Sequence, residues 1–192
     1  FLSSGLLAAD PTPMVGKYVR ISIPGRKKIL SLAEVEVMSG GKNVALKRPV
    51  TQSSIGAGGV PERAVDGNTD GDYSKASTTH TDHNGSTDPW WMVELDEPVA
   101  IDEVIVYNRK GIEKRIMGAV IEILDSRKRT IEKSAPFLSV RPVYRFKDGE
   151  LVKALPPEVE ALYEKKATWK ETAIATFENY HPWHAEQFLA DL

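Results

Sequence analysis

The segment Tyr18-Val19-Arg20-Ile21-Ser22-Ile23 alternates polar and apolar side chains, with β-branched residues at Val19, Ile21 and Ile23, and closes at Pro24-Gly25. A period of two ended by Pro-Gly predicts a half-buried strand and a turn. After the basic turn Arg26 to Lys28, Ala33-Glu34-Val35-Glu36-Val37 repeats the pattern, with valines on one face and glutamates on the other. Asn43 to Leu46 is a short apolar piece, and Ser53 to Val60 a Gly/Ser loop. Trp91, Val93 and Leu95 then share one face of a strand, and Asp102 to Tyr107, Ala119 to Leu124 and Ser139 to Phe146 supply three more. Ser126 to Arg129 reads as a hairpin tip. Short strands joined by turns, without amphipathic helices between them, predict an all-β fold, an antiparallel β-sandwich.

The pattern changes after Pro136. Pro156 to Lys166, PPEVEALYEKK, has proline at its start, acids in its first turn and lysines at its end, the grammar of a helix. Thr168 to Asn179 and His184 to Leu192 are also helical in pattern. The expected organisation is a sandwich over residues 15–148 and a helical tail, or the start of another domain, over 149–192. Residues 1–14, opening FLSSGLLAAD, read as the end of a secretory signal peptide or as a frayed apolar N-terminus. With the first reading the protein is secreted or periplasmic.

One stretch, ending at the Trp pair that opens a strand, shows no strand pattern of its own. Arg63 to Trp91 gathers Asp66, Asp70, Asp72, Asp82 and Asp88, two histidines and a run of hydroxyl side chains with almost no apolar periodicity. A polar loop of this length inside a compact domain is usually functional or held by a ligand.

Composition narrows the partners. A net charge of -2, from 25 Lys+Arg against 27 Asp+Glu, gives no global field to attract nucleic acid or an anionic membrane. No stretch reaches the roughly 18 apolar residues of a membrane helix, so membrane insertion is not expected. The absence of cysteine excludes disulfides, thiol nucleophiles and Cys-ligated metals. No phosphate loop, nucleophile motif or H-E-x-x-H is present, and the expectation is no enzyme.

Within the loop, Asp66-Gly67-Asn68-Thr69-Asp70-Gly71 fits the first half of a calcium-loop pattern, D-x-[DN]-x-[DN]-G. Ser77 stands where the bidentate glutamate of an EF-hand would be, and no helices flank it. Calcium still has its hard oxygens here, because carboxylates, hydroxyls and carbonyls all serve. The other reading of the segment is a solvated Asp/Asn/Gly turn.

Taken in order, Asn43-Val44-Ala45, Arg63-Ala64-Val65-Asp66-Gly67-Asn68, Ser77-Thr78-Thr79-His80, Pro89-Trp90-Trp91-Met92-Val93-Glu94-Leu95 and Val106-Tyr107-Asn108-Arg109 resemble the fucose-binding F-type lectin domain of the discoidin / coagulation-factor type C superfamily. The likeness runs from about Lys17 to Ser134. It implies a jelly-roll sandwich with one bound calcium ion (Ca2+) and a shallow sugar site on loops at one end. It further implies a calcium site made of the Asp66 carboxylate, the carbonyls of Arg63 and Asn68, the carbonyl and hydroxyl of Ser77, the Glu34 carboxylate and the Ala33 carbonyl.

In the family the strand resembling Leu32 to Val37 comes last, whereas here it and Tyr18–Ile23 precede Asn43, so the domain resembles a circular permutant. The resemblance also implies a sugar site of His80, Arg109 and Arg115, with Ile112 or Tyr73 supplying apolar contact. Gly111 stands where the family has an aspartate, and Arg115 arrives one residue early.

Three other groupings carry less. Trp91 is expected in the core and Trp90 half exposed, both structural. His181-Pro182-Trp183-His184 has a proline that breaks any ligand register, and Asp82, His83 and Asp88 lack a nucleophile to serve. The expected function is a calcium-dependent glycan-binding module, an accessory domain fused to or docking on a larger exported protein. The rival is a calcium-stabilised interaction or assembly module without sugar binding, and a third reading makes the sandwich a passenger on an enzyme.

Overall fold

The computed structural model describes residues 14–152. The helical tail, the histidine pair near residue 181 and the N-terminal segment through residue 13 lie outside the described residues.

Among the described residues ten strands form two antiparallel sheets: β1 Met14–Ser22, β2 Leu32–Ser39, β3 Lys42–Asn43, β4 Val50–Gln52, β5 Trp90–Ile101, β6 Glu103–Asn108, β7 Val120–Leu124, β8 Thr130–Lys133, β9 Val143–Lys147 and β10 Glu150–Leu151. One sheet runs β4-β5-β1-β7-β8 and the other β10-β9-β6-β2-β3. This is the antiparallel sandwich expected from the alternating segments, with the jelly-roll-like form that the family resemblance implies. Alternation fills its core: Val19 and Ile21 of β1, Trp91, Val93 and Leu95 of β5, and Ile121 and Ile123 of β7 are all essentially without solvent exposure. Trp91 also donates its indole N–H to the Pro61 carbonyl at 3.0 Å. Trp90, one position away, is half-buried.

Glu150 and Leu151 pair with Lys147 and Phe146, so the sandwich runs a few residues past the 148 boundary that the sequence suggests. Among the described residues no helix is long and apolar enough to cross a membrane.

The feature of β2 that matters for function is an irregularity. Pairing with β6 shifts between Leu32 and Glu34. Leu32 and Val35 are three positions apart yet both belong to the core. A bulge at Ala33 absorbs the odd residue and turns Glu34 to the opposite face. Glu34 is nonetheless completely buried, because the loop following the short 3-10 turn Pro61–Ala64 lies over it.

Candidate functional site

Thr79 and Thr81 hold the presenting segment in place. Thr79 N donates to the Leu32 carbonyl at 2.8 Å and Thr81 N to the Leu30 carbonyl at 3.0 Å. Their hydroxyls accept in return from Leu32 N and Leu30 N, each at 2.9 Å. The chain there runs extended beside 30–32, so His80, between the two threonines, projects the other way. The Ser53–Val60 loop closes on it from the far side: Gly56 N donates to the His80 carbonyl at 2.8 Å, and His80 N to the Gly59 carbonyl at 2.9 Å. A Cβ at Gly56 would overlap the Thr81 carbonyl and one at Gly59 the backbone N of His80, so only glycine permits this approach.

His80 is 5% exposed. Its Nδ1 lies against the Thr81 carbonyl. A carbonyl can only accept, so Nδ1 carries the proton and Nε2 offers a lone pair. Arg115 Nη1 stands 3.4 Å from that Nε2. Burial, followed by the charges of Arg109 and Arg115, holds the imidazole below its ordinary value and therefore neutral.

The Arg109 guanidinium lies 4.1 Å above the Tyr73 ring. Its Nε and Nη1 are buried and have no hydrogen-bond partner. Burial and the Arg115 charge lower its pKa. Tyr73 in turn packs edge-on to His80, ring centroids 6.0 Å apart, and donates its hydroxyl to the Ala57 carbonyl. Four side chains, His80, Arg109, Arg115 and Tyr73, thus converge from two inter-strand segments, the one between β4 and β5 and the one between β6 and β7.

Asn108 fixes the arginine-bearing loop, since its amide donates to the carbonyls of Glu113 at 3.1 Å and Arg141 at 3.0 Å. The Glu113 carboxylate is occupied by Gly111 N at 2.8 Å and points at no guanidinium. Asp70 joins this loop to the Asp66–Ser77 segment: Lys75 Nζ is 2.6 Å from one of its oxygens and Lys110 Nζ 3.4 Å from the other. Lys110 N also donates to the Gly71 carbonyl at 2.9 Å. Neither the asparagine anchor nor the Asp70 link was signalled by spacing in the sequence.

The other half of the loop meets Glu34. Gly67 N donates to Glu34 Oε1 at 3.0 Å, while Oε2 is buried without a partner. Burial pushes the Glu34 carboxyl up to about 8, the Asp66 charge adding to it. Asp66 Oδ1 accepts from Asn68 N at 2.8 Å, and the buried Ser77 hydroxyl donates to the Asp72 carbonyl at 2.6 Å. Arg63 Nη1 reaches the carbonyl of Thr78, next to Ser77, at 3.1 Å. Ala33, in the bulge beside Glu34, is fully buried. Among the described residues no three His, Cys, Asp or Glu side chains gather into a metal cluster, and the carboxylates here are two, Glu34 and Asp66.

The remaining groupings are local. Asp82 caps Asn84 N at 2.9 Å, and Asp88 accepts from Gly25 N at 2.7 Å.

Fold and loop-borne site define a discoidin-type β-sandwich. Residues 63–140 match the family model described as a NedA-like, galactose-binding domain. Fucolectin-1 of Anguilla japonica is 42% identical over 91 residues, covering 44% of this chain and 50% of its own length. Fucolectin of Anguilla anguilla is 35% identical over 88 residues, covering 43% of this chain and 54% of its own. The chain thus spans about half the length of these curated relatives. A solved fucose binding module of Streptococcus pneumoniae aligns with a TM-score of 0.49 and 30% identity, over 57% of this chain and 78% of that one. The described domain is thus similar to F-type lectin and discoidin domains over the matched residues.

Proposed function

We propose that this domain is a non-catalytic carbohydrate-binding module that holds a glycan between His80, Arg109 and Arg115, with Tyr73 as its apolar wall. The observation that carries the reading is the state of the donors: Arg109 Nε and Nη1 are buried and unpartnered, beside a neutral histidine whose Nε2 can accept. A sugar presents adjacent hydroxyls that both donate and accept, which fits this mixture. Buried donors left without a partner cost about 1–3 kcal/mol each, so a ligand that supplies acceptors gains accordingly. The eel relatives are named fucolectins and the matched family galactose-binding, which supports a sugar as the ligand class.

The oxygens around Glu34 fit calcium. A completely buried carboxylate with one orphaned oxygen and an adjacent aspartate supply hard oxygens, and the family resemblance adds the carbonyls of Ala33, Arg63, Asn68 and Ser77 and the Ser77 hydroxyl to the donor set. Calcium there supplies the positive charge that lets Glu34 stay ionised in the interior. The chain's own part is to hold the Asp66–Ser77 loop against β2, which keeps Tyr73 under Arg109. In this reading the domain is a circular permutant, with β1 and β2 preceding Asn43, and serves as an accessory module of an exported multidomain protein.

A glycan array on folded, calcium-loaded protein tests the proposal. Hits should disappear in His80→Ala and Arg109→Ala. A blank array supports the interaction-module reading instead, to which the lack of a carboxylate orienting Arg109 would then be the clue.

A further inference from the structure

The charge at the site has no protein counterion. Among the described residues neither Arg109 nor Arg115 forms an ion pair with a carboxylate. The acids near them in sequence or space are engaged elsewhere. Glu113 accepts from the backbone of Gly111. Asp70 is bound by Lys75 and Lys110. Asp82 caps Asn84. Lys114 lies exposed on the same loop and adds to the positive field.

Two guanidiniums therefore face one neutral imidazole, one of them with Nε and Nη1 withdrawn from water and one face covered by Tyr73. A neutral sugar can satisfy the N–H groups but leaves both charges uncompensated in a partly dehydrated site. An anionic substituent satisfies the same donors through charge-assisted bonds, which are about twice as strong, and neutralises the field as well. The planar fork of arginine matches the paired oxygens of a carboxylate or a sulfate.

We propose that the glycan this site recognises carries an anionic group, a carboxylate or sulfate on the sugar, received by Arg109 and Arg115 while His80 Nε2 accepts from a neighbouring hydroxyl. This rests on the carbohydrate reading above and names its substrate class. Arg115 is the exposed member and sets the charge preference; Arg109, half-buried with Nε and Nη1 withdrawn from water, is the anchor.

Calorimetric titration of the full chain in millimolar calcium tests it. The probes are galactose against galacturonic acid and galactose sulfate, and lactose against sialyllactose. At least one acidic sugar should bind about tenfold more tightly than its neutral parent. That margin should shrink as NaCl is raised, and should narrow in Arg115→Gln, which keeps a planar donor without the charge. Equal affinities for acidic and neutral sugars overturn the anionic preference while leaving the carbohydrate reading intact. Inorganic sulfate binding as tightly as galactose sulfate also overturns it, because the sugar then contributes nothing. No response to any of these sugars, together with a blank array, overturns both.

Discussion

Replacing Glu34 with glutamine separates what the carboxylate does with calcium from what it does without. Glu34 is wholly buried, one oxygen takes Gly67 N at 3.0 Å, and the other takes nothing. With its carboxyl pushed up to about 8, the residue holds its proton at neutral pH when no ion is present. Glutamine is nearly isosteric with that protonated acid and can still accept from Gly67. In chelator the two proteins should therefore melt alike. At a calcium concentration about a hundredfold above Kd, a single site adds about 2.7 kcal/mol. For a domain of this size that raises Tm by roughly 10 °C. The glutamine variant, lacking the charge that balances the ion, should gain only a small part of this. Four melts, each protein with calcium and with chelator, give the answer by calorimetry. A wild-type melt that ignores calcium, or a variant that gains as much as wild type, refutes the reasoning.

Other consequences follow from the same geometry. His80 binds its proton less readily folded than unfolded, so the unfolded chain takes it up first as pH falls and stability is lost below the ordinary histidine value; a Tm series from neutral to mildly acidic pH should fall more steeply in wild type than in His80→Asn. Trp91→Ala empties a fully buried site and should cost about 3–5 kcal/mol by urea unfolding, whereas Trp90→Ala, half-buried, should cost roughly 1 kcal/mol or less. Tyr73→Ala removes the ring beneath Arg109 and should weaken glycan binding roughly fivefold, the worth of about 1 kcal/mol of cation–π attraction. Tyr73→Phe, which keeps the ring, should weaken it less.

Much of the sandwich is legible in the sequence because alternation is a direct statement about two faces of a strand. Val19 and Ile21, or Trp91 and Val93, declare their side by spacing alone, and the structure places them in the core. Glu34 is legible as the outward partner of Val35 but not as a buried group, since its burial comes from a loop more than thirty residues downstream. The meeting of His80 with Arg115 follows from the family resemblance rather than from any periodicity.

What stays hidden is the chemistry of close approach. Thr79 and Thr81 act through hydroxyls that replace a ladder, and Gly56 and Gly59 matter only because His80 leaves no room for a Cβ. Tyr73 looks like any turn residue until its ring is found beneath Arg109. Strand β10 is two residues long and carries no pattern at all, so the sandwich's true edge is invisible until Glu150 is seen paired with Lys147.

The central question is whether a sugar binds against His80 and the two arginines. Titrating the strongest-binding glycan of the array into calcium-loaded wild type, His80→Ala and Arg109→Lys decides it. Wild type should give saturable heat, Arg109→Lys an affinity reduced at least about tenfold because the planar fork is gone, and His80→Ala no measurable binding. Equal affinity in all three folded proteins would contradict this, placing the sugar elsewhere on the domain.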